Sequence, residues 1–183
     1  MSILVTGAGG LVGQPLLESL AALGFEVVPA GRSARTADWF EWDMNQPPPQ
    51  PGRGFQSVVH AAPLWLLPRH LPALAAEGTR RVVCYSSTSV LTKRSSASGA
   101  DRELAGRLDK AELAVREESD RLNLATTIFR PTMIYGYGRD ENITTIARFI
   151  LRYGFFPVAG AAAGKRQPIH AADAATAAGA VLE

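Results

Sequence analysis

Three glycines, each three residues from the next, close the first apolar run of the chain in Thr6-Gly7-Ala8-Gly9-Gly10-Leu11-Val12-Gly13. The run before them, Ile3-Leu4-Val5, reads as a short buried strand, and Leu16, Leu17, Leu20 and Leu23 beyond them share roughly one helical face. A glycine turn between a strand and a helix suits one task above others. Gly7 can take the φ of a tight turn, Gly10 lets the backbone approach a pyrophosphate, and Gly13 lets the helix pack closely on the strand. The opening helix then offers unpaired N–H groups and a partial positive charge. A pyrophosphate of a dinucleotide is therefore expected at Gly7, Gly9, Gly10, Leu11 and Gly13.

The end of the second strand refines this expectation. An acidic residue there, about 20 residues beyond the glycines, binds the ribose 2′-OH of NAD. Here the neighbourhood reads Ala30-Gly31-Arg32-Ser33, with Arg35 close by. An arginine would meet a 2′-phosphate with a planar, charge-assisted fork, and the missing carboxylate removes a repulsion. Arg32 and Ser33 thus favour NADP, with NAD as the alternative.

The elements that must position these residues alternate. Strands are expected at Ile3–Val5, Glu26–Ala30, Trp39–Trp42 as an edge, Ser57–His60, Arg81–Tyr85 and Ala125–Phe129. Helical patterns fall between them, including Asp101–Leu122 with Leu104, Leu108, Ala111 and Val115 on one face. Leu64–Ala76 carries Pro68 and Pro72 and should be short or kinked. Gln46–Gly52 is too proline-rich for a helix or a central strand, and Thr88–Gly99 reads as a polar loop. Further helices are expected at Glu141–Arg152 and from Ala171. This alternation implies one α/β domain over residues 1–183, a doubly wound parallel sheet of Rossmann type with helices on both faces.

The glycine spacing resembles the TGxxGxxG of short-chain dehydrogenases/reductases, in the extended and atypical branches that hold NAD-dependent epimerases and dehydratases. Four later segments are similar to patterns of that family. They are Val58-Val59-His60-Ala61-Ala62, Val82 to Val90 around Ser86-Ser87, Phe129-Arg130-Pro131 through Tyr135-Gly136, and Ile169-His170-Ala171-Ala172-Asp173. The resemblance implies that Ala61 and Ala62 line the cofactor, that Asp43 contacts the adenine amino group, and that His60 packs beneath the cofactor.

It also implies three catalytic parts: a hydroxyl that orients the substrate, a tyrosine acid/base, and a lysine four residues later that lowers the tyrosine pKa and holds the nicotinamide ribose. Counting back from Val90 places the hydroxyl on Ser87, and Lys110 lies in the helix that the family uses. Four residues before Lys110 stands Gly106, where a substrate group or another side chain could fill the vacated volume. The residues four beyond the tyrosines are Ser89, Arg139, Glu141 and Pro157, so no Tyr-x-x-x-Lys exists. Tyr135 is the candidate substitute acid, set against a packing role. The expectation is an oxidoreductase or epimerase-like protein of unknown small-molecule substrate, or alternatively a non-catalytic module that senses the cofactor's redox state.

Other chemistries fit poorly. A net charge of +2 gives no basis for nucleic-acid binding. The single cysteine, Cys84, lies in an apolar run and reads as a buried hydrophobe. Gly160 to Lys165 has one residue too few for a phosphate-binding P-loop and is followed by Arg166 instead of Ser or Thr. There is no GxSxG elbow and no metal-ligand spacing. Met1–Thr6 lacks a signal-peptide layout and no apolar run is long enough for a membrane helix, which points to the cytoplasm. Extended members of the family continue past the Asp173 segment, so a reduced or absent substrate lobe is expected. A second copy of the chain could then supply the missing wall. The terminal Leu182-Glu183 matches the pair that a cloning site leaves.

Overall fold

A computed structural model of the chain describes residues 1–33, 36–49, 54–158 and 167–182. Arg35, Glu183 and the Gly160–Lys165 segment lie outside the described residues. Six parallel strands form the main sheet in the order β3-β2-β1-β4-β5-β6. They are β1 (Ser2–Thr6), β2 (Glu26–Gly31), β3 (Phe40–Glu41), β4 (Ser57–His60), β5 (Arg81–Tyr85) and β6 (Ala125–Phe129). This is the order of a doubly wound dinucleotide-binding sheet. The central strands are buried on both faces, which is why they read as runs of valine, isoleucine and leucine.

Successive residues of β1 feed opposite layers. Ile3 and Val5 pack with Leu16 and Leu20 of α1 (Gly13–Ala22) and with Ala174, Ala175 and Ala178 of α6 (Ala171–Ala180). Leu4 joins Trp42, Phe55, Val58 and Leu74 on the other face. There Val82 and Cys84 meet Ala111 and Val115 of α4 (Gly99–Arg121) and the leucines of the segment 64–71. Each fully buried aliphatic side chain of this kind contributes about 1.5–3 kcal/mol. Cys84 is fully buried, and burial pushes its thiol up to about 12, consistent with an inert packing role.

Pro68 and Pro72 break their segment as expected, into two 3₁₀ turns at Leu64–Leu66 and Pro68–His70 and a short α2 (Leu71–Ala76). The loop expected at Thr88–Gly99 contains a single-turn helix, α3 (Ser89–Thr92). Beyond β6, β7 (Ile134–Tyr135) pairs with β8 (Ile169–His170) in a separate two-stranded sheet, and α5 (Ile143–Tyr153) lies between them in sequence.

α4 is pinned in rotation by an ion pair. Glu112 is buried, and Arg130, just after β6, binds it through both Nε and Nη2. Burial raises the Glu112 carboxyl, but the Arg130 hydrogen bonds, the Ser86 hydroxyl and the charges of Arg130 and Arg116 outweigh it and hold the group ionised. With Ala105, Leu108, Ala111, Glu112 and Val115 facing inward, Gly106 and Lys110 face outward. The space expected beside Gly106 is open solvent and not a substrate pocket, since nothing lies within 4 Å of where a Cβ would stand.

Two glycines with opposite surroundings test this arrangement. A Cβ on Gly13 would stand 2.1 Å from the Ala8 carbonyl oxygen, inside the backbone. Gly13→Ala should destabilise the protein by about 2 kcal/mol or more, because backbone must shift to admit it. Gly106→Ala should stabilise it by about 0.5–1 kcal/mol through helix propensity alone. Urea denaturation of both variants checks the pair, and a stabilising Gly13→Ala or a destabilising Gly106→Ala would contradict the packing described.

Candidate functional site

The strand order reverses between β1 and β4, and the chain leaves their carboxyl ends in opposite directions. A cleft of about 620 Å³ opens there. Such a crevice is where ligands gather in open α/β sheets. Its base is the backbone itself. Gly7 has φ +74°, and a Cβ on it would meet Ala62 N at 2.5 Å and Ala61 C at 2.6 Å. The two strand ends therefore touch main chain to main chain, and only glycine is accommodated. The Gly10 N–H donates to the Gly7 carbonyl at 2.8 Å, which closes the turn.

The structure brings most of the expected cofactor residues to this cleft. Gly7, Gly9, Gly10, Arg32, Ser33, Asp43, Ala61 and Ala62 all line it. Gly13 stands behind the turn, against Ala8, and Leu11 leads into α1 without lining the cleft. Asp43 accepts hydrogen bonds from the backbone and side-chain N–H groups of Asn45. The Asn45 backbone N–H, followed by the Asn45 side chain and the charges of Arg32 and Arg69, holds its carboxyl below the usual range despite opposing desolvation.

Sequence reasoning missed the aromatic walls. Trp39, Trp42 and Trp65, the three tryptophans of the chain, all line the cleft. The Arg107 guanidinium from α4 stacks over Trp65 at 3.7 Å from its centre. Trp39 sits against Gly31, where a Cβ would meet its ring at 3.1 Å. The available signal was positional: Trp39 and Trp42 flank the third strand and Trp65 follows the fourth. Arg139 was missed as well. Its Nη2 donates to the Gly9 carbonyl at 2.8 Å and its Nη1 to the Gly10 carbonyl at 3.4 Å.

His60, at the end of β4, lies under the turn as expected. It is fully buried, and its Nδ1 and the Thr6 hydroxyl are 2.8 Å apart while Nε2 lies 3.2 Å from the Pro63 carbonyl. A carbonyl can only accept, so Nε2 carries the proton and Nδ1 accepts from Thr6. Burial drives the imidazole down to about 4, against the opposing Pro63 hydrogen bond.

The expected catalytic group is not assembled. Ser87 Oγ donates to Ser89 Oγ at 3.0 Å and accepts from the Ser89 N–H at 3.1 Å, so it opens α3. Tyr135, half-buried on β7, packs edge-on against His170 with ring centres 5.2 Å apart. Lys110 is exposed, about 200° of helical rotation from the buried Leu108. None of the three lines the cleft. The rotation of α4, which the Glu112–Arg130 pair fixes, thus places Lys110 on the exposed side of the helix. At the four-residue spacing of an acid/base pair, the positions in line with Glu112 are Leu104 and Leu108.

No protein-family model matches the chain, and no curated protein matches it. Solved structures do match. MoeE5 in complex with UDP-glucuronic acid and NAD superposes with a TM-score of 0.77 at 22% identity, over 97% of this chain and 71% of that one. A Tyr-to-Phe variant of UDP-glucuronic acid 4-epimerase from Bacillus cereus, bound to NAD and a fluorinated substrate analogue, gives 0.78 at 16% identity, over 100% and 73%. A putative NAD-dependent epimerase/dehydratase from Bacillus halodurans gives 0.67 at 19%, over 100% and 88%. The chain has the Rossmann-type fold of NAD-dependent epimerases and dehydratases. No helix among the described residues is long and apolar enough to cross a membrane.

The His60 environment has a pH signature. Its folded pKa lies below the ordinary 6.5, at about 4, so the unfolded chain binds its proton first as pH falls. The stabilisation from the neutral ring is complete above pH 6.5 and lost on descent to pH 4, by roughly 3 kcal/mol in all. Burial shifts His70 in the same direction. Urea midpoints measured from pH 7.5 to 4 should fall across that window, and His60→Leu should remove much of the slope. A wild-type midpoint that stays flat from pH 6.5 to 4 would contradict a buried neutral His60.

Proposed function

We propose that this chain is a nicotinamide-dinucleotide-binding protein of the epimerase/dehydratase type of short-chain dehydrogenases/reductases, with NADP(H) as its preferred ligand. The observation that carries the reading is the backbone cradle: Gly7, Gly9 and Gly10 at the reversal of strand order, in a cleft of about 620 Å³. The residues present fit such a group. The glycine turn admits a diphosphate close to the backbone, and the opening of α1 offers it N–H donors. Asp43, Trp39 and Trp65 offer an acceptor and flat surfaces to an adenine, and Ala61 and Ala62 are small enough to admit a ribose beside them. Two of the similar structures contain NAD. The preference for NADP rests on Arg32 and Ser33, which end β2 at the cleft where NAD-binding folds of this kind carry a carboxylate. When bound, the nicotinamide would supply hydride transfer.

The geometry supports binding better than proton transfer. Ser87, Tyr135 and Lys110 stand outside the residues that line the cleft, and the α4 side chain that reaches it is Arg107, over Trp65. A module that responds to the redox state of its ligand is therefore the stronger reading, and it requires different affinities for the oxidised and reduced forms. The second reading, an oxidoreductase or epimerase acting on a small molecule, is favoured by the retained Ser87 hydroxyl at the end of β5. Substrate assays with cofactor separate the two. Turnover that falls on Ser87→Ala supports the enzyme, and its absence with redox-selective binding supports the module. A partner copy and a cytoplasmic location belong to the same proposal, and gel filtration with and without NADPH addresses the first.

All three tryptophans report on the cleft, so titration with NAD, NADH, NADP and NADPH should quench the intrinsic fluorescence, with NADP and NADPH acting at the lowest concentrations. Arg32→Asp should reduce the NADP/NAD affinity ratio by about tenfold or more, because a charge-assisted fork is replaced by a repulsion. An unchanged ratio would remove the 2′-phosphate assignment, and no response to any of the four ligands would remove the function proposed.

A further inference from the structure

Arg139 reaches the glycine turn from the far side of the molecule, 129 residues along the chain from Gly10. The arm that carries it is unusually shaped. Gly136, Tyr137 and Gly138 have φ of 141°, 56° and 66°, three consecutive residues in the positive region. Asp140 fixes this bend, accepting from the Gly136 N–H at 3.3 Å and from the Thr144 backbone N–H and hydroxyl at the start of α5. Those bonds hold the Asp140 carboxyl far below the usual range, so it stays ionised as an anchor. Gly136 itself is packed under His170, whose Nε2 would lie 2.7 Å from a Cβ there.

The bend aims a guanidinium at two particular carbonyls. In a trans peptide the C=O and the following N–H point in opposite directions. A donor on the Gly9 oxygen therefore polarises the Gly10 N–H, and one on the Gly10 oxygen polarises the Leu11 N–H. Among the described residues no carboxylate lies within ion-pair distance of Arg139, so its charge is added to the turn without a counterion. A charged donor on these peptides strengthens the N–H groups behind them and adds to the Gly10–Gly7 bond that closes the turn.

We propose that Arg139 is a positioning residue for diphosphate recognition: it pins the Gly9 and Gly10 peptides, reinforces the Gly10–Gly7 hydrogen bond that closes the turn, polarises the Leu11 N–H, and adds a positive charge behind the turn. The ligand class is a nucleoside diphosphate or a dinucleotide containing one, and the inference rests on the binding function proposed above. It also links the occupied cleft to the arm and to α5, on the side of the molecule opposite β2.

The test compares wild type, Arg139→Gln and Arg139→Lys by tryptophan quenching with NADP, ADP and adenosine, each at low and high sodium chloride. Arg139→Gln should weaken NADP and ADP by about tenfold and flatten their salt dependence, as loss of a charge-assisted contact does. Adenosine, which has no phosphate, should bind all three proteins alike, and Arg139→Lys should recover part of the loss. The proposal is overturned if ADP and NADP bind Arg139→Gln as they bind wild type. It is equally overturned if adenosine weakens in parallel, because the substitution then disturbs the whole cleft. Wild type that binds NADP while Arg139→Gln is unaffected leaves the cofactor reading standing. Wild type that binds none of the three ligands overturns both.

Discussion

The contact on which this molecule depends is main chain against main chain at the ends of β1 and β4. Gly7 sits on the Ala61–Ala62 peptide and Gly13 on Ala8, each with no room for a Cβ. These contacts allow α1 to start directly over the point where the sheet order reverses. Within the turn the Ala8 and Gly10 N–H groups donate to the Ala30 and Gly7 carbonyls, which fixes its shape at the base of the cleft. A side chain at Gly7 or Gly13 would lift the helix away from the strand and open those bonds. The stability of the fold and the shape of the cleft are thus the same constraint seen from two sides. The buried Thr6–His60 pair beneath the turn, neutral and fully hydrogen-bonded, completes the floor without placing a charge under a ligand.

A second constraint decides what the rest of the cleft can do. The buried Glu112 needs Arg130, and Arg130 leaves β6 at one place, so α4 can adopt only one rotation about its axis. That rotation presents Leu104 and Leu108 inward and Lys110 outward. An ion pair at the middle of a long helix therefore sets which side chains α4 turns inward. The cleft carries Arg32, Asp43 and three tryptophans, and α4 approaches it through Arg107 over Trp65.

Much of the fold was legible because a parallel sheet is buried on both faces. Ser57–His60, Arg81–Tyr85 and Ala125–Phe129 read as strands with their observed limits, and prolines 68 and 72 marked the broken helix. The two-residue β7 and β8 were not legible, since their pairing joins segments 35 residues apart and leaves no period in either. The single turn of α3 was hidden by the Ser-rich composition of its loop. At the site, the glycine turn was readable because its function lies in what is absent from the residues. The exposure of Lys110 was not readable for a related reason. The sequence shows a lysine on a helix, but the facing of that helix is set by a partner, Arg130, that lies beyond the next strand. The tryptophans and Arg139 reach the cleft from loops, where spacing carries no directional information.

The arrangement separates holding a dinucleotide from reacting with it. Binding needs backbone donors, flat surfaces and a cation, and each is anchored by its own local contact: Gly7 on Ala61–Ala62, Trp65 under Arg107, Arg139 on the turn. Proton transfer needs polar side chains as well, and Ser87, Tyr135 and Lys110 stand outside the residues that line the cleft. A fold can lose the second set without disturbing the first, because no contact is shared between them. The reverse is not true: a disturbed glycine turn removes the ligand that any reaction would use.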